Sequence, residues 1–311
     1  MNRDLTLKQT EHVDRHEGHF SGKYGDELYF QTWNPKTVIA EKSATIVPTV
    51  VPAIPPTKSV VITHGIGEHS ECYNELACDF VRNGWQVFAW DLRGHGRSSG
   101  KRGFLKSFHD YTYDLERFID FLLQSQKLTT PFAILGHSMG GLITLKYALD
   151  QGARLTSRAV VLSSPLLGIA VPVPAVKELA SKFLLKVAPG LTLSNEIQYE
   201  QLTHDLEILK SYAHDSLRHE KICSALYDGM LSTITNVSSR GRELQKPLLI
   251  QAAGHDMVVS LPAIDRFFKT VGAPIKKMIV YKDDFHEIYN ELDRKTVYSD
   301  LQVFLKSEFP A

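Results

Sequence analysis

The stretch FAILGHSMGGLITL, Phe132–Leu145, sets one serine in a frame that suits a nucleophile. Ser138 has Gly136 and Gly140 two residues to either side and Gly141 next. An apolar run precedes it and a helix-like run follows. A serine at the end of a buried strand, on a sharp turn into a helix, projects its oxygen away from the sheet. Glycines are needed there because a larger side chain would strike the neighbouring strand and helix. The helix that follows aims its free N–H groups and the positive end of its dipole at the same spot. A glycine-rich turn with a bystander serine reads the same in isolation, so the rest of the chain must decide.

A hydroxyl becomes nucleophilic when a base takes its proton, and a carboxylate orients that base. In a turn of this kind the partners follow in the order Ser, Asp or Glu, then His. Asp256 falls in the loop after one apolar run, PLLIQAAGHDMVV, and His286 in the loop after the next, IVYKDDFHEIYN. The competing roles are structural. Asp256 stands ahead of a helix near Leu261 that it could cap, and His286 is one of 13 histidines. Asp283 and Asp284 are rival acids close before His286, and His204, His214, His219 and His255 are the other histidines after Ser138.

Acyl transfer also needs donors for the oxyanion. The backbone N–H after the nucleophile, Met139, is one. The loop in VVITHGIGEHS offers the other at Ile66, where the His64-Gly65 step lets the backbone approach; a plain glycine turn is the alternative. WDLRGHGRSSG (Trp90–Gly100) carries Asp91, Arg93, His95 and Arg97 among glycines, but its spacing fits neither a dinucleotide nor a P-loop fingerprint. It reads as a structural turn and is assigned no chemistry.

These residues need strands to carry them. SVVITHG, WQVFAWD, PFAILG, AVVLSSP, PLLIQAAG and IKKMIVYKDD are short runs, apolar in most cases, and helical patterns alternate with them. That alternation predicts an α/β fold, a mainly parallel sheet covered by helices on both faces. Ligands then sit beyond the carboxyl ends of the strands. A polar lead-in over residues 1–17 and a hairpin around Tyr24-Gly25-Asp26 precede this pattern, and a Pro/Val-rich segment of unknown role spans 35–58. Residues 166–240 interrupt it with helical patterns and no convincing β-run. The expected organisation is a core of 18–165 and 241–311 with a helical cap, 166–240, inserted in it. Within the cap, Val176, Leu179, Ala180, Phe183, Leu184 and Val187 line one helix face and four charged residues the other. That face either packs on the domain or lines an acyl tunnel and touches lipid.

With 35 basic and 35 acidic residues the chain has no net charge and no electrostatic footprint for nucleic acid. Cys72, Cys78 and Cys223 show no metal-ligand spacing, so neither a metal nor an organic cofactor is expected. The N-terminal stretch has no apolar signal region and no segment is long enough to span a bilayer, so a cytoplasmic setting is expected. Peripheral membrane contact through the cap stays open. Oligomeric state is not legible.

The motifs HGIGEHS, DLRGHGRSSG, GHSMGG, AGHDMVV and FHEIYNE, in that order, resemble the α/β-hydrolase superfamily and, within it, the lysophospholipase and monoacylglycerol lipase group. The resemblance covers roughly residues 18 to 308. It implies a serine esterase with a helical lid over an acyl tunnel and a lipid acyl ester as its small-molecule substrate. It carries over Ser138, Asp256 and His286 as the triad, Ile66 and Met139 as oxyanion donors, and Glu68 as a contact to the glycerol head group. The expected reaction is hydrolysis of a monoacylglycerol or lysophospholipid through an acyl-enzyme. A carboxylesterase or thioesterase with smaller substrates, or an inactive binder on the same fold, are the alternatives.

Overall fold

A computed structural model describes residues 13–36, 58–128, 130–170 and 183–310. Among these, eight strands form one sheet: β1 (Val13–Ser21), β2 (Glu27–Pro35), β3 (Ser59–Thr63), β4 (Gln86–Trp90), β5 (Phe132–His137), β6 (Ala159–Ser163), β9 (Leu248–Ala253) and β10 (Lys276–Tyr281). Their order is β1-β2-β4-β3-β5-β6-β9-β10. β1 and β2 form an antiparallel hairpin, β2 meets β4 antiparallel, and every pairing from β4 to β10 is parallel.

The apolar strands read as they do because both faces are covered. Along β3, Val61 enters one core while Val60 and Ile62 enter the other. β5 divides the same way, with Phe132 and Ile134 on one side and Ala133 and Leu135 on the other. The first core is closed by the helices His109–Gln124, Ser138–Gln151 and Leu261–Thr270, through residues such as Phe118, Leu142 and Phe267. The second is closed by Asn74–Arg82 and Arg294–Glu308, through Phe80, Leu301 and Phe304. Each fully buried side chain of this kind contributes about 1.5–3 kcal/mol. The central strands thus stabilise the frame twice over, once on each face.

Two features depart from the sequence reading. The first strand begins at Val13, inside what reads as a polar lead-in. β1 is an edge strand with Asp14–Glu17 turned to solvent, and its pairing with β2, not its hydrophobicity, makes it a strand. The stretch 183–240 also contains a small antiparallel pair, β7 (Thr192–Ser194) with β8 (Lys221–Cys223), where no β-run was expected. Three residues per strand are too few to show a period. The long helical pattern from Thr203 onward resolves into Leu206–Tyr212 and Ser224–Ser238 with β8 before the second. Most of the 35–58 segment, and the first part of the predicted 174–190 helix, lie outside the described residues. The end of that helix, 183–187, is helical.

Candidate active site

Ser138 sits where β5 ends and the helix Ser138–Gln151 begins, and its φ is +53°. Such a backbone is uncommon for a residue with a side chain and is held by its surroundings. The glycines around it have no room to be anything else. A Cβ on Gly136 would lie 2.4 Å from the Gly140 carbonyl oxygen, and one on Gly140 would lie 2.2 Å from that of Thr63. The turn is therefore wedged against the end of β3.

Two loops from the far end of the sheet reach it. Asp256 follows β9 and His286 follows β10. His286 Nε2 lies 2.9 Å from Ser138 Oγ, and His286 Nδ1 lies 2.8 Å from Asp256 Oδ2. The other carboxylate oxygen, Oδ1, accepts the N–H groups of Val258 and Val259, each at 2.8 Å. With Nδ1–H donating to Asp256, Nε2 is free to accept the serine proton. Burial works against charge on Asp256, yet the facing His286 and the two amides hold its pKa below the usual value. Burial likewise disfavours a charged His286, but Asp256, then Glu287 and Glu68, outweigh it and raise its pKa. The rivals are elsewhere: burial and neighbouring acids push Asp284 up to about 7, and its carbonyl accepts the His255 N–H at 3.0 Å.

The loop after β3 forms another wall beside Ser138. His64 Nε2 accepts the Leu92 N–H at 2.9 Å, which leaves the ring proton on Nδ1 to donate to the Gly65 carbonyl at 2.7 Å. Burial drives the His64 pKa down to about 4, so the ring is neutral as this tautomer requires. In a trans peptide the carbonyl and the next N–H point opposite ways. His64 therefore sets the direction of the Ile66 N–H. A Cβ on Gly65 would come within 3.0 Å of both Ser138 Cβ and Glu68 Oε1. Ile66 lines the cavity over Ser138, and Met139 opens the helix beside it. The sequence reading has no role for His64; its place at a strand end, one residue before the turn, is the signal that could have found it.

Glu68 is buried, and its Oε1 accepts the Gly65 N–H at 2.5 Å and the Tyr73 hydroxyl at 2.8 Å. Burial, then the nearby Glu287, pushes its pKa up to about 7. The glycine loop of Trp90–Gly100 is spent on structure. Asp91 accepts the N–H groups of Ser70 and Arg97, and Arg93 forks onto Asp114 at 2.6 and 2.9 Å. Among the described residues His69, Cys72 and Asp215 have potential ligand atoms within 4.8 Å of one another. Arg218 Nη2 donates to the Cys72 sulfur at 3.4 Å, which puts a cation where a metal would have to bind.

The space over Ser138 is narrow, about 30 Å³, against the 300–1,000 Å³ of ordinary ligand pockets. Its walls come from the β3 loop, the His286 loop and the 195–220 stretch. The arrangement can hold a serine ready to lose a proton beside backbone donors.

Residues 54–293 match the family described as serine aminopeptidase, S33. The chain is 30% identical over 251 residues to the phospholipase YtpA of Bacillus subtilis, covering 80% of this chain and 95% of that protein. It is 28% identical over 296 residues to a monoacylglycerol lipase of Mycolicibacterium smegmatis, covering 94% and 98%. A Paleococcus ferrophilus monoacylglycerol lipase structure superposes with a TM-score of 0.73 at 27% identity, over 81% of this chain and 95% of that one. The chain belongs to the serine aminopeptidase S33 family of α/β-hydrolases and is a serine hydrolase of the lipase and esterase type.

Proposed function

We propose that this hydrolase cleaves the acyl ester of a monoacylglycerol or lysophospholipid, with Ser138 as nucleophile, His286 as base and Asp256 as the acid that orients it. The observation that carries the reading is the unbroken run of contacts Ser138–His286–Asp256, 2.9 and 2.8 Å, on three strand ends. His286 takes the serine proton as Oγ attacks the ester carbonyl, and the N–H groups of Ile66 and Met139 receive the oxyanion. The alcohol leaves with the proton from His286. Water, deprotonated by the same ring, then releases the fatty acid from the acyl-serine.

Between the two substrate classes, charge favours the neutral one. Glu68, Glu220 and Glu287 share the cavity with Arg218, and that guanidinium already faces Glu287. A phosphate entering this wall would meet carboxylates, whereas the hydroxyls of a glycerol could donate to them. Glu68 is the contact we assign to the head group. Residues 166–240 act as the cap, and the apolar residues it leaves in solvent give it a membrane-facing side.

A panel of long-chain monoacylglycerols, lysophospholipids, acyl thioesters and short soluble esters, with Ser138→Ala as the blank, tests this. We expect the highest kcat/KM on monoacylglycerols. Preference for a thioester or a short ester would contradict the substrate, and activity in the Ser138→Ala protein would contradict the mechanism.

A further inference from the structure

Glu287 follows His286 directly, and its carboxylate is buried within the same cavity as Ser138. Oε2 accepts the Tyr212 hydroxyl and, at 2.7 Å, Asn290 Nδ2. Oε1 faces Arg218 Nη1 at 3.3 Å. Arg218 comes from the 195–223 stretch, not from the sheet. Its side chain is only 4% exposed, and its guanidinium lies flat on the Tyr212 ring, 3.5 Å from the centroid. The backbone around it is fastened to the oxyanion loop, since the His219 N–H donates to the Gly67 carbonyl at 3.0 Å. The Glu287 N–H is tied back to the Leu202 carbonyl at 2.8 Å.

We infer that Arg218 is a positioning residue for the hydrolysis: through Glu287 it holds the loop that carries His286 and balances the buried charge beside that ring. The inference rests on His286 being the base.

The charges around the pair leave Arg218 as the balancing one. His286 is faced by Asp256, Glu287 and Glu68, and by His137, whose ring stands 4.8 Å away. Burial drives His137 down to about 3, so it brings no positive charge at neutral pH. Glu287 is faced by Arg218, His137, Tyr212 and Asn290, with Glu68 and Tyr199 nearby. Burial opposes ionisation of Glu287, and Arg218 is the first of the groups that reverse this and lower its pKa. Cys72, a further contact of Arg218, is held neutral by burial, with its thiol pushed up to about 12, and Glu68 also faces the guanidinium. Asp215 lies close to Arg218 but is engaged with His69 at 2.8 Å. Remove the guanidinium, and the charge that the Tyr212 hydroxyl and Asn290 still hold on Glu287 is left unbalanced next to a base that already sits beside Asp256.

The sign follows. An unbalanced Glu287 stabilises the protonated ring, so the acid limb of activity must move to higher pH. Lysine keeps the charge and loses the flat stacking on Tyr212, and so should keep the limb while losing some turnover. The loss of register in the His286 loop should appear in kcat more than in KM, by about tenfold to a hundredfold.

The test is the pH dependence of kcat/KM on a short soluble ester for the full chain and for Arg218→Met, Arg218→Lys and the double variant Arg218→Met/Glu287→Gln, with Ser138→Ala alongside. We expect the acid limb of Arg218→Met to lie at higher pH than that of the parent, the lysine variant to keep the parent limb, and the added Glu287→Gln to bring the limb back. An unmoved limb in a folded Arg218→Met protein, or no return in the double variant, overturns the inference. If the methionine variant does not fold, a limb displaced in Arg218→Lys overturns it equally. Residual activity in Ser138→Ala would instead strike the reading beneath it, so the two failures are separable.

Discussion

At the scale of single residues, the proposed chemistry depends on one ring nitrogen. His286 Nε2 can accept the Ser138 proton only when the ring is neutral, and its surroundings raise the pKa above the ordinary 6.5. Activity should therefore rise with pH through a limb lying above that value, since the protonated ring is the inactive form. Asp256→Asn removes the charge and, with its amide oxygen kept on the Val258 and Val259 N–H groups, turns an NH2 toward Nδ1 that favours the wrong tautomer, so kcat should fall about a thousandfold or more while Asp284→Asn costs little. A pH–rate profile of the parent and the two variants checks this; the opposite ranking of the aspartates would move the acid to the wrong strand end. That Ser138, Asp256 and His286 come together was legible because chain order and strand-end position are both written in the sequence. The Arg218–Glu287 contact was not legible, because nothing in either residue's neighbourhood along the chain says that the two meet 69 residues apart.

Elements explain which parts of the fold could be read. β3, β5, β6 and β9 are buried on both faces, so their sequences are largely apolar, and the predicted α/β sheet follows from them. The first half of β1 escaped because an edge strand needs only one buried neighbour, and residues Asp14 to Glu17 are polar; its second half is the first arm of the expected hairpin. β7 and β8 escaped because three residues carry no periodicity. The loop proposed to hold the oxyanion follows β3 as expected, yet His64 directs its backbone through tautomer and peptide geometry. A sequence names the histidine but not which of its nitrogens holds the proton.

At the scale of the whole molecule, the described residues leave an apolar surface in solvent. Phe183 and Val187 are 63% and 59% exposed, with Leu191 and Leu193 also in solvent. The exposed Lys186 accompanies them, and Lys101 donates to the Gly190 carbonyl at 2.8 Å. Of the two readings of the 174–190 face, packing on the domain does not hold for Phe183 and Val187. No helix among the described residues is long and apolar enough to cross a membrane. An apolar patch with lysines suits the surface of a bilayer, where each inserted large side chain contributes about 1.5–3 kcal/mol. Phe183→Asp/Val187→Asp should lower turnover of long-chain monoacylglycerol in vesicles by about tenfold or more, and leave a short soluble ester and the Tm nearly unchanged. Equal loss on both substrates, or a large fall in Tm, would mean that these side chains serve the fold instead.

The central claim is that Ser138 forms a covalent acyl intermediate, and a fluorophosphonate probe tests it most directly. The phosphorus of such a probe is attacked only by a serine whose proton can be withdrawn. Intact-mass and peptide spectra of the full chain should show one adduct, on Ser138, that forms slowly at low pH and faster as His286 deprotonates. Labelling should vanish in Ser138→Ala and nearly vanish in His286→Ala. An unlabelled but folded parent protein, or an adduct on any other residue, would contradict the account.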